Sequence, residues 1–186
     1  MCPGTQLITV DLDYAYEDAV LEAADFLRKE HNITHLDILV ANAAINTSHT
    51  PAIDVISDEA RIDYDINALG TLRLYQGLRP LLLAAAEHDR QKTEKDLAAN
   101  NGDHATENST NGINDTNGFA TNTDARRDPI FVAISSRLGS AGAQDHPMMK
   151  NVKDVAYGMS KAAMNYCVKR MHVEDDWLCA FSLSPG

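Results

Sequence analysis

The chain has 186 residues, 44% of them hydrophobic, with 27 acidic against 16 basic side chains and a formal net charge of -11. That length and apolar content suit one domain with a real core, and the acidic balance excludes the basic footprint of a general nucleic-acid binder. No window approaches 18 uninterrupted apolar residues, so no membrane span is expected, and Met1 to Val10 lacks the charged start and long apolar run of a secretory signal.

The first β-prone run is Leu7-Ile8-Thr9-Val10, ending at Asp11. From Tyr16 to His31 the apolar positions Ala19, Val20, Ala23, Ala24, Phe26 and Leu27 recur at helical spacing. Leu36 to Val40 reads as a second strand, followed by Ala41-Asn42-Ala43-Ala44. Pro51 and Ser57 punctuate a loop, and a helical stretch from about Asp58 to Glu87 contains Pro80, which is expected to kink or divide it.

Residues 88–128 change character. Asn100-Asn101-Gly102, Asn111-Gly112 and Asn117-Gly118 are turn-forming pairs among Thr, Ser, Asp and Glu, with Ile113 and Phe119 almost alone as large apolar residues. Such a segment buries too little surface to offset its ordering entropy and reads as a disordered insertion within a single domain over 1–186. Ile130 to Ile134 is a third strand, Ser135 to Asp154 a loop, Val155 to about His172 a helix, and Trp177 to Leu183 a fourth strand closed by Ser184-Pro185-Gly186. Strands alternating with helices imply right-handed crossovers and a parallel sheet. Cys2, Cys167 and Cys179 fit neither a zinc site nor a disulfide framework; they read as incidental thiols of a cytoplasmic protein without a metal.

Tyr157-Gly158-Met159-Ser160-Lys161 is the most informative stretch. Tyr157 and Lys161 stand four apart and share one helix face. An ammonium near a phenol stabilises the phenolate, which is expected to lower the pKa of Tyr157 and suit it to proton transfer. Such a pair is commonly no more than two surface neighbours, so the case needs support from elsewhere. Ser135 and Ser136 follow a strand, where open parallel sheets place their ligands; Asn42 also ends a strand. Asn67 and Gly70 within a helix are both unfavourable there, which points to an internal hydrogen bond or a close approach.

In order, the strand-ending Asp11, Asn42-Ala43-Ala44, Asn67-x-x-Gly70, Ser136, Tyr157-x-x-x-Lys161 and Pro185-Gly186 resemble the short-chain dehydrogenase/reductase family over the whole chain except the insertion. Asp37 to Ala44, Tyr157 to Asn165 and Met171 to Phe181 look most like its fungal norsolorinic acid ketoreductase group. The resemblance implies a doubly wound, Rossmann-like α/β fold and reduction of a hydrophobic carbonyl compound with NADP, or with NAD as the alternative. It implies that Tyr157 passes a proton to the carbonyl oxygen and that Lys161 binds the nicotinamide ribose and depresses the pKa of Tyr157. Ser136 holds the substrate oxygen, with Ser135 the alternative, and Asn67 supports a proton relay through a water. Asp11 and Leu12 match the position touching the adenine, Asn42, Ala43 and Ala44 the turn beside the cofactor, and Pro185 and Gly186 the turn near the nicotinamide. The helices carrying Asn67 and Tyr157 match a subunit interface, which implies a homo-oligomer.

The sequence also departs from the family pattern. No Gly-rich turn precedes Asp11; Gly4 is the only early glycine. The family's first two strands, its pyrophosphate cradle and its final strand are therefore expected to be missing. The Leu7 strand would then lack a neighbour, and the sheet edge beside Leu36 to Val40 would be bare. Ala44 stands where the family has glycine, and Ser136 and Tyr157 lie 21 positions apart, with His146, Pro147, Met148 and Met149 between them as candidates for the substrate mouth. A catalytically inactive remnant that cannot bind cofactor is the competing reading.

Overall fold

The computed structural model describes residues 4–13, 15–16, 18–100 and 128–185. In chain order it contains α1 (Ala19–His31), β1 (Ile38–Ala41), α2 (Ser57–Tyr64), a π-helical turn (Asp65–Leu69), α3 (Gly70–Asn100), β2 (Ile130–Ile134), α4 (Val155–Glu174) and β3 (Cys179–Leu183). Short 3-10 turns occupy Ala52–Asp54, Arg137–Gly139 and Ala141–Ala143.

The three strands form one parallel sheet in the order β1-β2-β3, with Ile38 opposite Ile130 and Ile130 opposite Cys179. Side chains alternate between faces along each strand. Leu39, Phe131 and Ala180 share one face, with Ala41 and Ala133 behind them, and there α3 and α4 bury the core. Tyr75 of α3 meets Phe131 edge-on at 5.7 Å between ring centroids. Leu74, Leu78, Leu81 and Leu82 of α3 and Met164, Val168 and Met171 of α4 complete this layer. The opposite face presents Ile38, Val40, Phe181 and Leu183, which are 59%, 49%, 43% and 46% exposed. A parallel sheet normally carries helices on both faces; among the described residues, only one face is covered.

Several sequence expectations change. Residues 5–13 form no strand, and Leu7 is 76% exposed. β-propensity alone does not hold a strand that has no ladder partner. α1 starts at Ala19 rather than Tyr16, and Phe26 is exposed, leaving Val20, Ala23 and Ala24 as its buried stripe. Asn32 ends the helix at φ 54°, and the Ile33 N–H donates to the Leu27 carbonyl at 3.1 Å. The long helical stretch is interrupted at Asp65–Leu69, not at Pro80, and then runs on to Asn100. Pro80 and Gln76, whose carbonyl loses its usual partner, are both exposed, so water can serve that carbonyl. Residues 88–100 therefore belong to α3 instead of an insertion, while 101–127 lie outside the described residues. The last strand begins at Cys179, after an Asp175–Leu178 turn in which the Leu178 N–H donates to the Asp175 carbonyl at 3.0 Å. Among the described residues, no helix is long and apolar enough to cross a membrane.

α1 docks on α3 through Gly77, where an added Cβ would stand 2.5 Å from Val20 Cγ1 and 3.2 Å from Val20 Cβ. Val20 is fully buried and, being β-branched, cannot rotate aside freely. Gly77→Ala gains about 1 kcal/mol of helix propensity but overpacks this contact at about 1–3 kcal/mol. The expected outcome is a lower midpoint in urea, partly restored in the Val20→Ala/Gly77→Ala double variant.

Candidate active site

Because all three strands run parallel, the loops that follow them leave from the same edge of the sheet. Asn42, Ala43 and Ala44 leave β1, Ser135 and Ser136 leave β2, and Ser184 and Pro185 leave β3. Asn42 to Ala44 and Pro185 are exposed at this edge; Gly186 lies outside the described residues. The carboxyl edge of an open parallel sheet is where such folds bind ligands.

α4 brings Tyr157 and Lys161 to this edge. The Lys161 ammonium donates to the Ile134 carbonyl at 2.6 Å and lies 5.6 Å from the centroid of the Tyr157 ring. Lys161 is only 2% exposed, and burial pushes its pKa down to about 8. Ser136, which follows β2, acts electrostatically on the Tyr157 phenol. Ser136 also accepts from the Leu138 N–H at 3.2 Å, capping the 3-10 turn that begins at Arg137. Ser135, the alternative, is committed elsewhere: it is buried and its hydroxyl donates to Asn165 Oδ1 at 2.7 Å.

The expected depression of the Tyr157 pKa is not observed. Its pKa is raised, first by burial and then by the charges of Asp154 and Asp63; Ser136 opposes the rise. Lys161 is not among the groups that shift it: its ammonium donates to the Ile134 carbonyl and stands over the ring, 5.6 Å from the centroid.

Asn67 is fully buried within the π-helical turn. Its Oδ1 accepts from the Ile45 N–H at 2.8 Å, and its Nδ2 donates to the Ile45 carbonyl and to Ser160 Oγ, each at 2.8 Å. The Asn67 carbonyl accepts the Thr71 hydroxyl at 2.8 Å. The extra residue of a π turn disrupts the regular ladder, a feature that recurs at functional sites. The cost of Asn and Gly at mid-helix thus reflects a clasp on the loop after β1. Asp11 lies apart from this group, lining a cleft with Thr9, Val10, Glu22, Ala23 and Phe26, and Leu12 beside it is exposed. Met148 is exposed on the loop before α4.

Four contributors escape sequence reasoning. Ser160 accepts from Asn67 and donates to the Tyr157 carbonyl at 2.7 Å, joining the two site helices. Its signal was a serine in mid-helix between Tyr157 and Lys161, a place where hydroxyls bond back to the preceding turn. Asp63 is a fully buried carboxylate that accepts from the Thr47 N–H at 3.0 Å. Asp154 and His49 are hydrogen-bonded across 105 positions, which no local pattern could indicate.

Lys161, Ser136, Tyr157 and the exposed turns at Asn42–Ala44 and Pro185 fit the nicotinamide end of a dinucleotide. Among the described residues no Gly-rich turn fits the pyrophosphate end; Gly4 is the one glycine before Gly70. Among the described residues, no cluster of three or more His, Cys, Asp or Glu could hold a metal.

This arrangement, a parallel sheet with tyrosine, lysine, serine and asparagine at its carboxyl edge, defines a Rossmann-like fold of the kind found in short-chain dehydrogenase/reductases. The NADPH-bound carbonyl reductase from chicken fatty liver superposes with a TM-score of 0.68 at 20% identity, covering 97% of this chain and 57% of that one. By sequence, the chain is a homologue of short-chain dehydrogenases. It is 28% identical over 183 residues to a norsolorinic acid ketoreductase of Dothistroma septosporum and 27% identical over 189 residues to that of Aspergillus parasiticus, matching 98% of this chain in each. The chain spans about half the length of these relatives, 53% and 52%. No family model matches it.

Proposed function

We propose that this chain carries the catalytic face of an NAD(P)H-dependent ketoreductase acting on a hydrophobic, polyketide-type ketone, with NADP the preferred cofactor. One observation carries the reading: at the carboxyl edge of the sheet the Lys161 ammonium stands over the Tyr157 ring, 5.6 Å from its centroid, while donating to the Ile134 carbonyl of β2, the strand that Ser136 follows. When bound, the nicotinamide supplies hydride to the carbonyl carbon.

The chain's own residues handle the oxygen. Ser136 holds the substrate oxygen with its hydroxyl. Tyr157, kept protonated by its surroundings, donates its proton to that oxygen as negative charge develops there. Lys161 would hold the nicotinamide ribose, and its ammonium, over the ring, favours the phenolate left behind. Asn67 acts through the loop after β1 and through Ser160, fixing the distance between α3 and α4. The exposed apolar residues Met159, Tyr166 and Val173 of α4 support self-association through the same helices. The test follows NADPH absorbance in the presence of aromatic polyketide-like ketones. Turnover that saturates with ketone supports the reading, and cofactor binding without consumption of any ketone removes it.

A further inference from the structure

His49 lies on the loop after β1, and Asp154 is the N-terminal boundary residue of α4. The His49 Nδ1 and an Asp154 carboxylate oxygen are hydrogen-bonded. Asp154 precedes Tyr157 by three positions, and on a helix such residues share a face. Its side chain is 17% exposed, whereas that of His49 is 76% exposed. The contact therefore joins the loop after β1 to the start of α4, with a sheltered carboxylate on one side and a solvent-facing imidazole on the other. The same loop is clasped at Ile45 by Asn67 and at Thr47 by Asp63.

We propose that the His49–Asp154 pair is a positioning device for Tyr157, closing the loop after β1 onto the first turn of α4 and fixing a carboxylate beside the phenol. The proposal rests on the reading of Tyr157 as proton donor. A fixed anion there opposes loss of the phenolic proton and keeps the donor loaded until substrate and cofactor arrive.

The other charged groups around the phenol do not duplicate this role. Asp63 of α2 also acts against the phenolate but is fixed by the Thr47 N–H. Glu59 has one carboxylate oxygen buried without a partner, and Asp58 and Arg61 pair with each other at the surface. Asp65 pairs with Arg73, Arg137 on the turn packed against α4 is exposed, and Lys161 faces the Ile134 carbonyl.

The experiment uses the full chain labelled with carbon-13 at tyrosine Cζ, with Tyr157→Phe assigning the resonance. Asp154→Asn, which keeps shape and hydrogen bonding, is expected to move the Tyr157 ionisation midpoint down by about half a pH unit or more. His49→Gln is expected to leave it near the wild-type value. His49→Ala should speed hydrogen exchange of the Thr47 amide about fivefold, because the loop loses one tether. An unmoved or raised midpoint in Asp154→Asn, with the other tyrosine resonances unchanged, overturns the proposal. So does unchanged Thr47 exchange in His49→Ala, a variant that leaves α4 intact even if Asp154→Asn does not fold. Neither readout needs turnover: the ketoreductase reading fails separately, if wild-type chain binds NADPH and no ketone consumes it.

Discussion

Tyr157→Phe is expected to lower NADPH-dependent ketone reduction by about 10²–10⁴-fold, the usual contribution of a positioned proton donor. The variant removes one oxygen and little else. The ring keeps its volume on α4, and Lys161 keeps an aromatic face beside its ammonium. Folding should be nearly unaffected, with a melting midpoint within about 2 °C of wild type. The loss should fall on kcat with KM little changed, because the hydroxyl matters most as charge builds on the substrate oxygen. Ser136→Ala should lose less activity, since the proton donor survives. It should also raise the Tyr157 pKa further, because the hydroxyl that opposes the rise is gone. The sign is testable in the pH profile: a group kept protonated remains a competent donor toward higher pH, and Ser136→Ala should extend that limb. Initial rates at saturating NADPH check both variants, and a Tyr157→Phe chain that retains more than about a tenth of the rate removes tyrosine from the role.

The elements most legible in the sequence were those whose partners are close or whose pattern is periodic. Ile130 to Ile134 is a strand over the span its unbroken apolar run indicated, and α4 extends only two residues beyond His172. Tyr157 and Lys161 fall on one helix face because four positions make about one turn. What stayed hidden depends on contacts between distant residues. Leu7 to Val10 has a strand's composition, but strands are made by neighbours, and none pairs with it. The polar tail of α3 up to Asn100 carries little apolar patterning, so it read as the start of the insertion, yet Glu, Lys, Gln and Ala there are good helix formers. The upward shift at Tyr157 arises from Asp154 and Asp63 as well as from burial. Residue spacing correctly placed the ammonium on the same face; it could not say that the ammonium would turn to the Ile134 carbonyl.

Asp175→Ala should be the most destabilising single change, at about 3 kcal/mol, because it dismantles a sheltered charged network. The Asp175 carboxylate accepts from Arg79 Nε at 2.8 Å and from Arg79 Nη2 at 2.5 Å, and it also accepts the Tyr75 hydroxyl. Arg79 lies 5.2 Å above the Trp177 ring. Removing the carboxylate leaves the hydroxyl of buried Tyr75 without its acceptor, while Arg79, which is partly exposed, can turn to water. Asp175→Asn should cost less, since the amide oxygen still accepts, and Tyr75→Phe/Asp175→Ala should cost less than the sum of its parts. Urea denaturation at pH 7 measures these three and the Tyr75→Phe single variant. The Arg79 guanidinium holds the Asp175 pKa below the ordinary carboxylate value, so its stabilisation is full above the unfolded pKa near 3.8 and is lost as pH falls through the folded pKa. The gap between wild type and Asp175→Ala should therefore close in strong acid. Tyr75 and Arg79 belong to α3 and Asp175 follows α4, so this network ties the two helices together at the end of α4 away from Tyr157. Asn67 and Ser160 tie them at the site. With both ties intact, Tyr157 is held at a fixed distance from the clasped loop after β1. Loss of Asp175 should therefore weaken the geometry of the site although the residue touches none of it.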